Sequence, residues 1–317
     1  MALKVLVSIY SNPDLYPPTL NAIEVLCDNG YEVDLVYNNI ISGSWLFPNS
    51  VKLFPSGAKS TRKDIEKKNL LVKLIRWIKF TVNVYRRVKK CDIFIAYDPI
   101  PLFSYRLVSF FIFKKPKIVW YHNHDIHELG QLNKFSIGWF SVRSEKTFFD
   151  RINIFSLPSQ ERKLFFPMDK FRGEYFFIPN YPSLAFYSQF NSVEDAKEIR
   201  ILFQGNISPG HGIEELIELL PSRICSKHVK IVLKGHIESN YLIKLNNIAF
   251  QKNVQQFITF VGPTSYQEVP LTTQNCHIGI AIFTRSDVMN RTLGTASNKI
   301  YEYAACGLPI IYYSDEH

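Results

Sequence analysis

The sequence is poor in the residues that hold small secreted or zinc-stabilised proteins together. It has five cysteines in 317 residues, and no two of them form a C-x-x-C pair. An odd and widely scattered set argues against both a disulfide framework and a structural zinc site. We therefore expect a protein of a reducing compartment, with a cytoplasmic location.

Long apolar runs and a signal peptide are also missing. The longest apolar stretch, from Ile100 to Phe113, is interrupted by Arg106 and falls short of the roughly 20 residues that span a bilayer. The N-terminus "MALKVLVSIYSNPD" has one lysine and a short apolar run before a turn, which predicts a first strand. We expect that no part of the chain crosses a membrane.

Short runs rich in β-branched and aromatic residues alternate with helix-length segments. They are "KVLVSIY", "EVDLVY", "DIFIAY", "KIVWYH", "INIFSLP", "IRILFQG", "KIVLKG", "FITFVG", "HIGIAIF" and "PIIYY". Continuous apolar strands of this kind predict parallel sheets that helices cover on both faces. The fold class is therefore α/β, with doubly wound, Rossmann-like sheets.

Prolines and a polar stretch interrupt this alternation once. The segment "IPNYPSLAFYSQFNSVEDAKEIR" carries Pro179 and Pro182 and separates two sets of strands. We predict two domains, residues 1–185 and residues 186–317. Because ligands bind outside the carboxyl ends of parallel strands, two such sheets facing each other would form an interdomain cleft.

A glycine-rich loop leaves the first strand of the second half. In "GNISPGHGIEELIELL", Gly205, Gly210 and Gly212 lie between a strand and a helix. Glycines let backbone N–H groups approach an anion closely, and a helix N-terminus favours negative charge. The loop is neither G-x-G-x-x-G nor a P-loop, so phosphate binding and an ordinary left-handed turn both stay open.

Histidines cluster after a strand of the first half. "YHNHDIHE" places His122 and His124 at the carboxyl end of "KIVW". A metal site would use both histidines but needs further ligands from elsewhere. Solvated loop histidines and a histidine that contacts substrate are the other two interpretations.

A short helix near the C-terminus carries an isolated carboxylate. In "TASNKIYEYAACGLPII", Thr295, Ser297 and Asn298 are competent N-caps, and Glu302 lies about one turn inside the helix. Such a helix N-terminus would favour a phosphate, and the carboxylate could accept hydrogen bonds from a vicinal diol such as a ribose. The alternative is a surface pair of Glu302 with Lys299.

With these residues in view, the chain resembles the retaining glycosyltransferases of GT-B fold, in particular glycosyltransferase family 4, over nearly its whole length. "SNKIYEYAACGLPII" resembles the donor-site helix of that family, whose glutamate binds the ribose of the sugar nucleotide and corresponds to Glu302. "GNISPGHGIEELIE" resembles its glycine loop, and "FITFVGPTSYQEVPLTTQNCHIGIAIF" is similar to the intervening segment. "YHNHD" resembles the first-domain histidine motif of that family, in which the histidine corresponding to His124 contacts the donor sugar.

The resemblance implies a metal-independent transferase that moves a sugar from a UDP- or GDP-linked donor to a glycan or lipid-linked glycan in surface polysaccharide synthesis. No cofactor is expected, and no two aspartates are spaced D-x-D to chelate a metal. The acceptor would contact loops near Asn12 to Pro18, Asp98 and His124. The implied catalytic residues are His124 and His211, and the implied donor-binding residues are Gly205, Asn206, Gly210, Gly212, Ser297, Lys299 and Glu302.

The sequence departs from the family pattern at three positions. Gly294 lies where many members have a second glutamate, and Asn206 and His211 lie where the family has cations that clamp the donor diphosphate. Our hypothesis is that a protonated His211, Lys299 and two helix N-termini share that task. The alternatives are a nucleotide-sugar-binding partner subunit without turnover and a metal-dependent hydrolase. Because the chain stops at "IIYYSDEH", we expect an incomplete second domain.

One segment accounts for the whole net charge of +9. Residues 62–90 contain eleven Lys or Arg and only two acidic residues. An apolar stripe at helical spacing predicts a helix with this stripe buried, while Trp77 and Phe80 fall off it. The stripe consists of Leu71, Leu74, Ile75, Ile78, Val82 and Tyr85. Three interpretations of the basic face stay open: it is solvated, it lies on an anionic membrane with Trp77 and Phe80 in the headgroup region, or it binds nucleic acid. Because no nucleic-acid-binding module accompanies it, we expect no nucleic acid as a partner.

Overall fold

The computed structural model describes residues 2–41, 45–187, 197–284, 288 and 292–314. Its chain divides into two compact units, Met1–Pro179 and Asn180–His317. The division lies slightly before the boundary at 185/186 that the sequence suggested. Asn180 explains the difference, because its N–H and side-chain amide donate to the carbonyls of Thr295 and Ala296 at 3.3 and 2.7 Å. The polar linker from residue 188 to residue 196 lies outside the described residues.

The first unit is a parallel sheet with helices. Its strands are β1 (Lys4–Ile9), β2 (Glu32–Ile40), β3 (Val51–Ser60), β4 (Ile93–Tyr97), β5 (Ile118–His122), β6 (Ile154–Leu157) and β7 (Glu174–Phe177). Its helices are α1 (Pro17–Asp28), α2 (Arg62–Lys67), α3 (Leu70–Val88), α4 (Pro99–Val108) and α5 (Ile137–Thr147). In the described ranges the strand order is β3-β2-β1-β4-β5-β6-β7, and each pair is parallel.

The second unit repeats this architecture. Its strands are β8 (Glu198–Gln204), β9 (Arg223–Ile224), β10 (Lys227–Lys234), β11 (Ile258–Val261), β12 (Ile278–Phe283) and β13 (Ile310–Ser314). Its helices are α6 (Leu184–Tyr187), α7 (Ile213–Glu218), α8 (Ser239–Gln251), α9 (Val269–Thr273) and α10 (Asn298–Ala305). The parallel order is β11-β10-β8-β12-β13, with β9 antiparallel to β10. The predicted class, α/β with two Rossmann-like domains, is confirmed.

Three strands were not predicted, each for a local reason. In β3, Pro55 and Gly57 break the apolar run, which is tolerated because β3 is an edge strand. The strand β7 is only four residues long and also lies at an edge. The hairpin of β9 and β10 turns through Cys225 and Ser226, whose φ angles are +47° and +64°. Such turns normally use Asn or Gly, so a Cys-Ser pair does not predict one.

The basic segment forms two helices rather than one, and its apolar stripe faces the opposite way from the prediction. Asn69 starts α3 by accepting a hydrogen bond from the N–H of Val72. The inward residues of α3 are Arg76, Phe80, Val84 and Val88. The predicted core residues Leu71, Leu74, Ile75, Ile78 and Val82 are exposed. Phe80 is fully buried and packs edge-on against Tyr10, and Trp77 is half-buried.

A buried arginine explains this orientation. The guanidinium of Arg76 donates to the carbonyls of Ala58 and Asn39, each at 2.8 Å, and to the side chain of Asn38. Gly57 leaves room for it, since a Cβ there would lie 2.8 Å from Arg76 Cγ. The N–H donors of an arginine on the inner face of α3 are therefore paired with backbone carbonyls of β2 and β3. Hydrophobic periodicity does not reveal such an arrangement. Within the described residues, no helix is both long and apolar enough to cross a bilayer.

Candidate functional site

The carboxylate of Glu302 is buried in the second unit. It lies on α10, is 6% exposed, and its Oε2 accepts a hydrogen bond from Gln204 Nε2 at 2.5 Å. Gln204 is the last residue of β8, and its Oε1 accepts a hydrogen bond of 2.8 Å from the hydroxyl of Thr273. Burial raises the pKa of Glu302 to about 7, although Gln204 and Lys299 oppose that rise. The alternative interpretation, a surface pair with Lys299, is therefore wrong.

Lys299 lies one turn before Glu302, between two aromatic rings. Its Nζ is 4.0 Å from the ring centroid of Phe203 and 5.2 Å from that of Phe283. Burial of the ammonium lowers the pKa of Lys299 to about 7, with Glu302 acting in the opposite direction. The side chain also adjoins the glycine loop, because a Cβ on Gly205 would lie 3.7 Å from Nζ. An anion at this loop would therefore meet a cation that is held in place by its surroundings.

The glycine loop uses two of its amides within the protein. The N–H groups of Gly205 and Ile207 donate to the carbonyls of Lys234 and His236 at 2.9 and 2.8 Å. If this loop binds an anion, the backbone N–H groups of its later residues would therefore have to do so. There, Gly210 and Gly212 have φ angles of +87° and +70°, which favour glycine.

His211 meets the same two aromatic rings as Lys299. Its ring centroid is 5.1 Å from that of Phe203 and 5.7 Å from that of Phe283. Its Nδ1 donates to the carbonyl of Ile282 at 3.0 Å, which fixes the proton on that nitrogen. Asn206 is exposed on the loop. Lys299 and His211 thus share two aromatic neighbours, and the hypothesis that they form one anion site stays a prediction.

The helix N-termini of this region differ from each other. Ser297 is the N-cap of α10, but its hydroxyl makes no capping hydrogen bond within the described residues. The helix α7 after the glycine loop has six residues and carries Glu214 and Glu215 in its first turn. Glu214 is engaged elsewhere, by Tyr241 and Lys244. A short helix with acidic residues is a poor anion site, so α10 is the better of the two predicted helix N-termini.

In the first unit, His124 lies between two tyrosines. Its ring stacks on Tyr97 with 5.0 Å between centroids and on Tyr16 with 5.3 Å, and its Nε2 hydrogen-bonds to Thr19 Oγ1 at 2.9 Å. Burial, with the charge of Arg162 nearby, holds the pKa of His124 well below the ordinary histidine range. His124 is therefore neutral at pH 7, and its ring is hydrogen-bonded to Thr19.

Asp98 holds the loop that carries His124. Its Oδ1 accepts hydrogen bonds from the N–H groups of His124 and Asp125 at 2.8 and 3.3 Å. The φ angle of Asp98 is +71°, a conformation that residues with a side chain rarely adopt. The predicted acceptor loops, near Asn12 to Pro18, Asp98 and His124, therefore converge at the carboxyl ends of β1, β4 and β5.

His122, the other candidate for a metal site, has its Nδ1 within 2.8 Å of Ser156 Oγ. Burial lowers its pKa to about 3. Arg162 is fully buried and donates to the carbonyl of His124. In the part of the chain that the structure describes, no group of three or more His, Cys, Asp or Glu side chains is placed to hold a metal ion.

Several residues of these two regions were not identified from the sequence, although Tyr16 lies within the predicted loop from Asn12 to Pro18. In the first unit they are Thr19, Tyr97 and Arg162, and in the second unit they are Phe203, Gln204, Thr273 and Phe283. Gln204 and Tyr97 end strands of parallel sheets, where ligands bind, so their positions gave a usable signal. The contact of Phe283 with Lys299 joins a strand to a later helix, and no local sequence pattern predicts it.

Comparisons with known proteins identify the fold. No protein-family model matches the chain, and no curated protein matches its sequence. A structure of HepE from Anabaena in complex with UDP and glucose is 16% identical, with a TM-score of 0.65 over 98% of this chain and 80% of HepE. Sucrose-phosphate synthase from Thermosynechococcus elongatus is 13% identical, with a TM-score of 0.66 over 98% of this chain and 81% of the synthase.

A third similar structure is WaaG, a glycosyltransferase involved in lipopolysaccharide biosynthesis. It is 12% identical, with a TM-score of 0.66 over 97% of this chain and 80% of WaaG. Identities this low establish the fold rather than a shared activity. Together with the two parallel-sheet units, these likenesses show that the chain has the GT-B fold.

Proposed function

We propose that this chain is a retaining, metal-independent glycosyltransferase that transfers a hexose from a nucleotide-sugar to a glycan or lipid-linked glycan in surface polysaccharide synthesis. The second unit would bind the donor, and the first unit would bind the acceptor. A peripheral location on the inner face of the cell membrane fits a lipid-linked acceptor. The GT-B fold supports a sugar nucleotide as donor, and HepE, of the same fold, was crystallised with UDP and glucose.

The observation that carries this proposal is the convergence of Glu302, Lys299 and the glycine loop. Glu302 presents a buried carboxylate that Gln204 orients, and such a carboxylate suits the two hydroxyls of a ribose. Lys299 lies one helical turn away beside Gly205, where it suits a phosphate. A carboxylate that accepts hydrogen bonds from a diol, one helical turn from a cation, matches the ribose and the phosphates of a nucleoside diphosphate.

The leaving group in this reaction is a nucleoside diphosphate, whose negative charge grows as the bond to the sugar breaks. Positioned cations and N–H donors would stabilise that charge. Lys299 and His211 each contact the rings of Phe203 and Phe283, and we assign both to the stabilisation of this charge. The N-terminal amides of α10 would add to this, so Asn206 need not supply charge.

We assign His124 a different role. It is neutral and rigidly held between Tyr16 and Tyr97, so it would orient the donor sugar or acceptor through a hydrogen bond rather than exchange a proton. Retention would then proceed on one face of the sugar, with the leaving phosphate taking the proton of the acceptor.

A thermal-shift comparison of UDP, GDP, ADP and their sugars, with and without EDTA, tests the donor site. One nucleotide family should raise Tm, because a ligand that binds only the native state stabilises it by about 2.7 kcal/mol at a hundred times Kd. Glu302→Ala should remove that rise, and Glu215→Ala, an exposed glutamate of the same unit, should keep it. No response to any nucleotide would contradict the proposal.

Donor turnover separates the enzyme from the alternative, a partner subunit that binds nucleotide-sugars without turnover. The alternative rests on Asn206 and on Gly294, which lies in a short 3-10 turn. Many members of the family that the chain resembles have a second glutamate at the position of Gly294. We expect transfer or slow hydrolysis of the preferred nucleotide-sugar, and EDTA should leave the rate unchanged. Tight binding with neither reaction would favour the partner role.

A further inference from the structure

The outward face of α3 is a continuous aliphatic strip in the first unit. Its residues lie on one side of the helix, and each is at least 38% exposed: Leu70, Leu71, Leu74, Ile75, Ile78 and Val82. Most soluble proteins expose apolar side chains singly, so a row of six on one helix indicates an interaction surface. We call these six residues the α3 strip.

The α3 strip is not needed to hold the helix in place. The opposite side of α3 buries Phe80, Val84 and Val88. Trp77 fixes the helix to α4, since its ring stacks on Phe103 with 5.6 Å between centroids and its Nε1 donates to Ser104 Oγ at 3.1 Å. The strip is therefore presented by a helix whose position is set by other contacts.

Basic residues adjoin the α3 strip along one flank and at its N-terminal end. Lys79 and Arg86 are exposed on one flank of α3, and Lys67 and Lys68 are exposed just before it. Residues 62–90 hold eleven Lys or Arg against two acidic residues. An aliphatic strip lined by cations matches an anionic surface with an apolar interior.

We propose that the α3 strip lies in the interfacial region of an anionic lipid bilayer, with α3 parallel to the membrane plane. Aliphatic side chains of the strip enter the acyl boundary while the flanking Lys and Arg contact lipid phosphates. This reverses the sequence-based hypothesis, in which Trp77 and Phe80 would insert, because Phe80 is in the core and Trp77 packs on Phe103.

A second copy of this chain is a poorer occupant. An isologous contact places the same patch on both subunits, so two strips would bring two strongly basic segments together. Like charges in an interface are costly when neither side offers acidic partners, and only Asp64 and Glu66 are available in residues 62–90. Asp64 is also engaged by the capping hydrogen bonds of Thr61.

Vesicle flotation of the full chain tests the proposal without requiring turnover, so its outcome is independent of the proposed transferase. The wild type should float with vesicles of phosphatidylcholine and phosphatidylglycerol, and much less with phosphatidylcholine alone. Leu71→Ser/Ile75→Ser/Ile78→Ser should lower the partition coefficient at least about tenfold. Lys79→Glu/Arg86→Glu should weaken binding most at low salt, where surface charges are least screened.

A matched control carries Leu164→Ser, Leu219→Ser and Leu271→Ser, three leucines that are 63% or more exposed outside α3. It should float like the wild type, and both triple variants should keep the wild-type Tm. Three results would overturn the proposal. They are no binding of the wild type to anionic vesicles, equal binding by the strip variant, or a dimer that the strip variant dissociates while vesicles are not bound.

Discussion

Gln204 and Glu302 are joined by a hydrogen bond of 2.5 Å between Nε2 and Oε2, inside the second unit. The two residues are almost a hundred positions apart, at the end of β8 and on α10. Thr273 donates to the other end of the Gln204 amide, so the amide cannot rotate without losing both contacts. The carboxylate that we assign to the ribose is therefore held in one orientation by a residue that need not touch the ligand.

Gln204→Met should lower nucleotide affinity by about tenfold, because the carboxylate of Glu302 loses the amide that orients it. The variant should also lose about 1–3 kcal/mol of stability, since Thr273 and Glu302 each lose a buried partner. Titration calorimetry with the nucleotide that raises Tm measures the first effect, and urea unfolding measures the second. Gln255→Met, at an exposed position in the same unit, is the control. Unchanged affinity in Gln204→Met would contradict the positioning role.

Lys299→Arg should weaken the pH dependence of donor binding. Burial lowers the pKa of Lys299 to about 7, so the free protein loses this charge as pH rises above 7, and a bound diphosphate must restore the proton. Affinity for a nucleotide-sugar should therefore fall by up to about tenfold per pH unit above pH 7. Arginine stays charged throughout this range, so the variant should bind with a flatter profile.

A nucleotide-sugar is the right ligand for this test, because its diphosphate has no proton to lose near pH 7. Calorimetry in buffers of different ionisation enthalpy should show proton uptake on binding for the wild type and less for Lys299→Arg. In the free protein the same shift has the opposite consequence for folding. The unfolded chain holds the Lys299 proton up to about its ordinary pKa of 10.5, so this contribution to stability rises with pH above 7.

His211 can be tested with two amides that mimic different ring nitrogens. Its Nδ1 already donates to the carbonyl of Ile282. Asparagine can reproduce that donor, whereas glutamine places its amide near Nε2, where a contact to the leaving phosphate would have to be made. If His211 assists departure of the phosphate, His211→Gln should retain more kcat than His211→Asn. The loss in His211→Asn should be about 10²-fold, typical of one transition-state donor. Equal kcat in both variants and the wild type would remove His211 from the mechanism.

The sheet strands were predictable because they are continuous apolar runs, which parallel sheets covered on both faces require. All ten predicted runs are strands in the structure. The stripe on α3 was also found at the right spacing, but its direction was wrong. Periodicity identifies a face without saying which way it points, and here Arg76 turns the other face inward by hydrogen-bonding to the backbone of β2 and β3.

The candidate site was predictable where the motif is local, as for Lys299 and Glu302 on one helix. Their environment was not, because Phe203 and Gln204 reach them only through the packing of α10 on the sheet. The same holds for Asp98, whose positive φ and contacts with the His124 loop depend on neighbouring strands.

Substitutions at Asp98 should separate the contribution of backbone strain to the free energy of unfolding from that of hydrogen bonding. Asp98→Asn keeps an oxygen for the N–H groups of His124 and Asp125, so it should retain most stability. Asp98→Ala leaves both N–H groups unpaired, at a cost of about 1–3 kcal/mol each. Asp98→Gly also removes the acceptor but relieves the φ of +71°, so it should be about 1–3 kcal/mol more stable than the alanine variant.

Urea unfolding at several pH values measures these differences. Burial and the nearby Asp125 raise the pKa of Asp98 well above its ordinary value of 3.8. In the window above 3.8 the folded protein therefore holds a proton that the unfolded chain has released, so the stability contributed by Asp98 falls as pH rises. Asp98→Asn cannot titrate and should lose this slope while His124 stays in place. A slope that persists in Asp98→Asn would show that another buried group, such as Glu145, whose pKa burial raises to about 7, carries it instead.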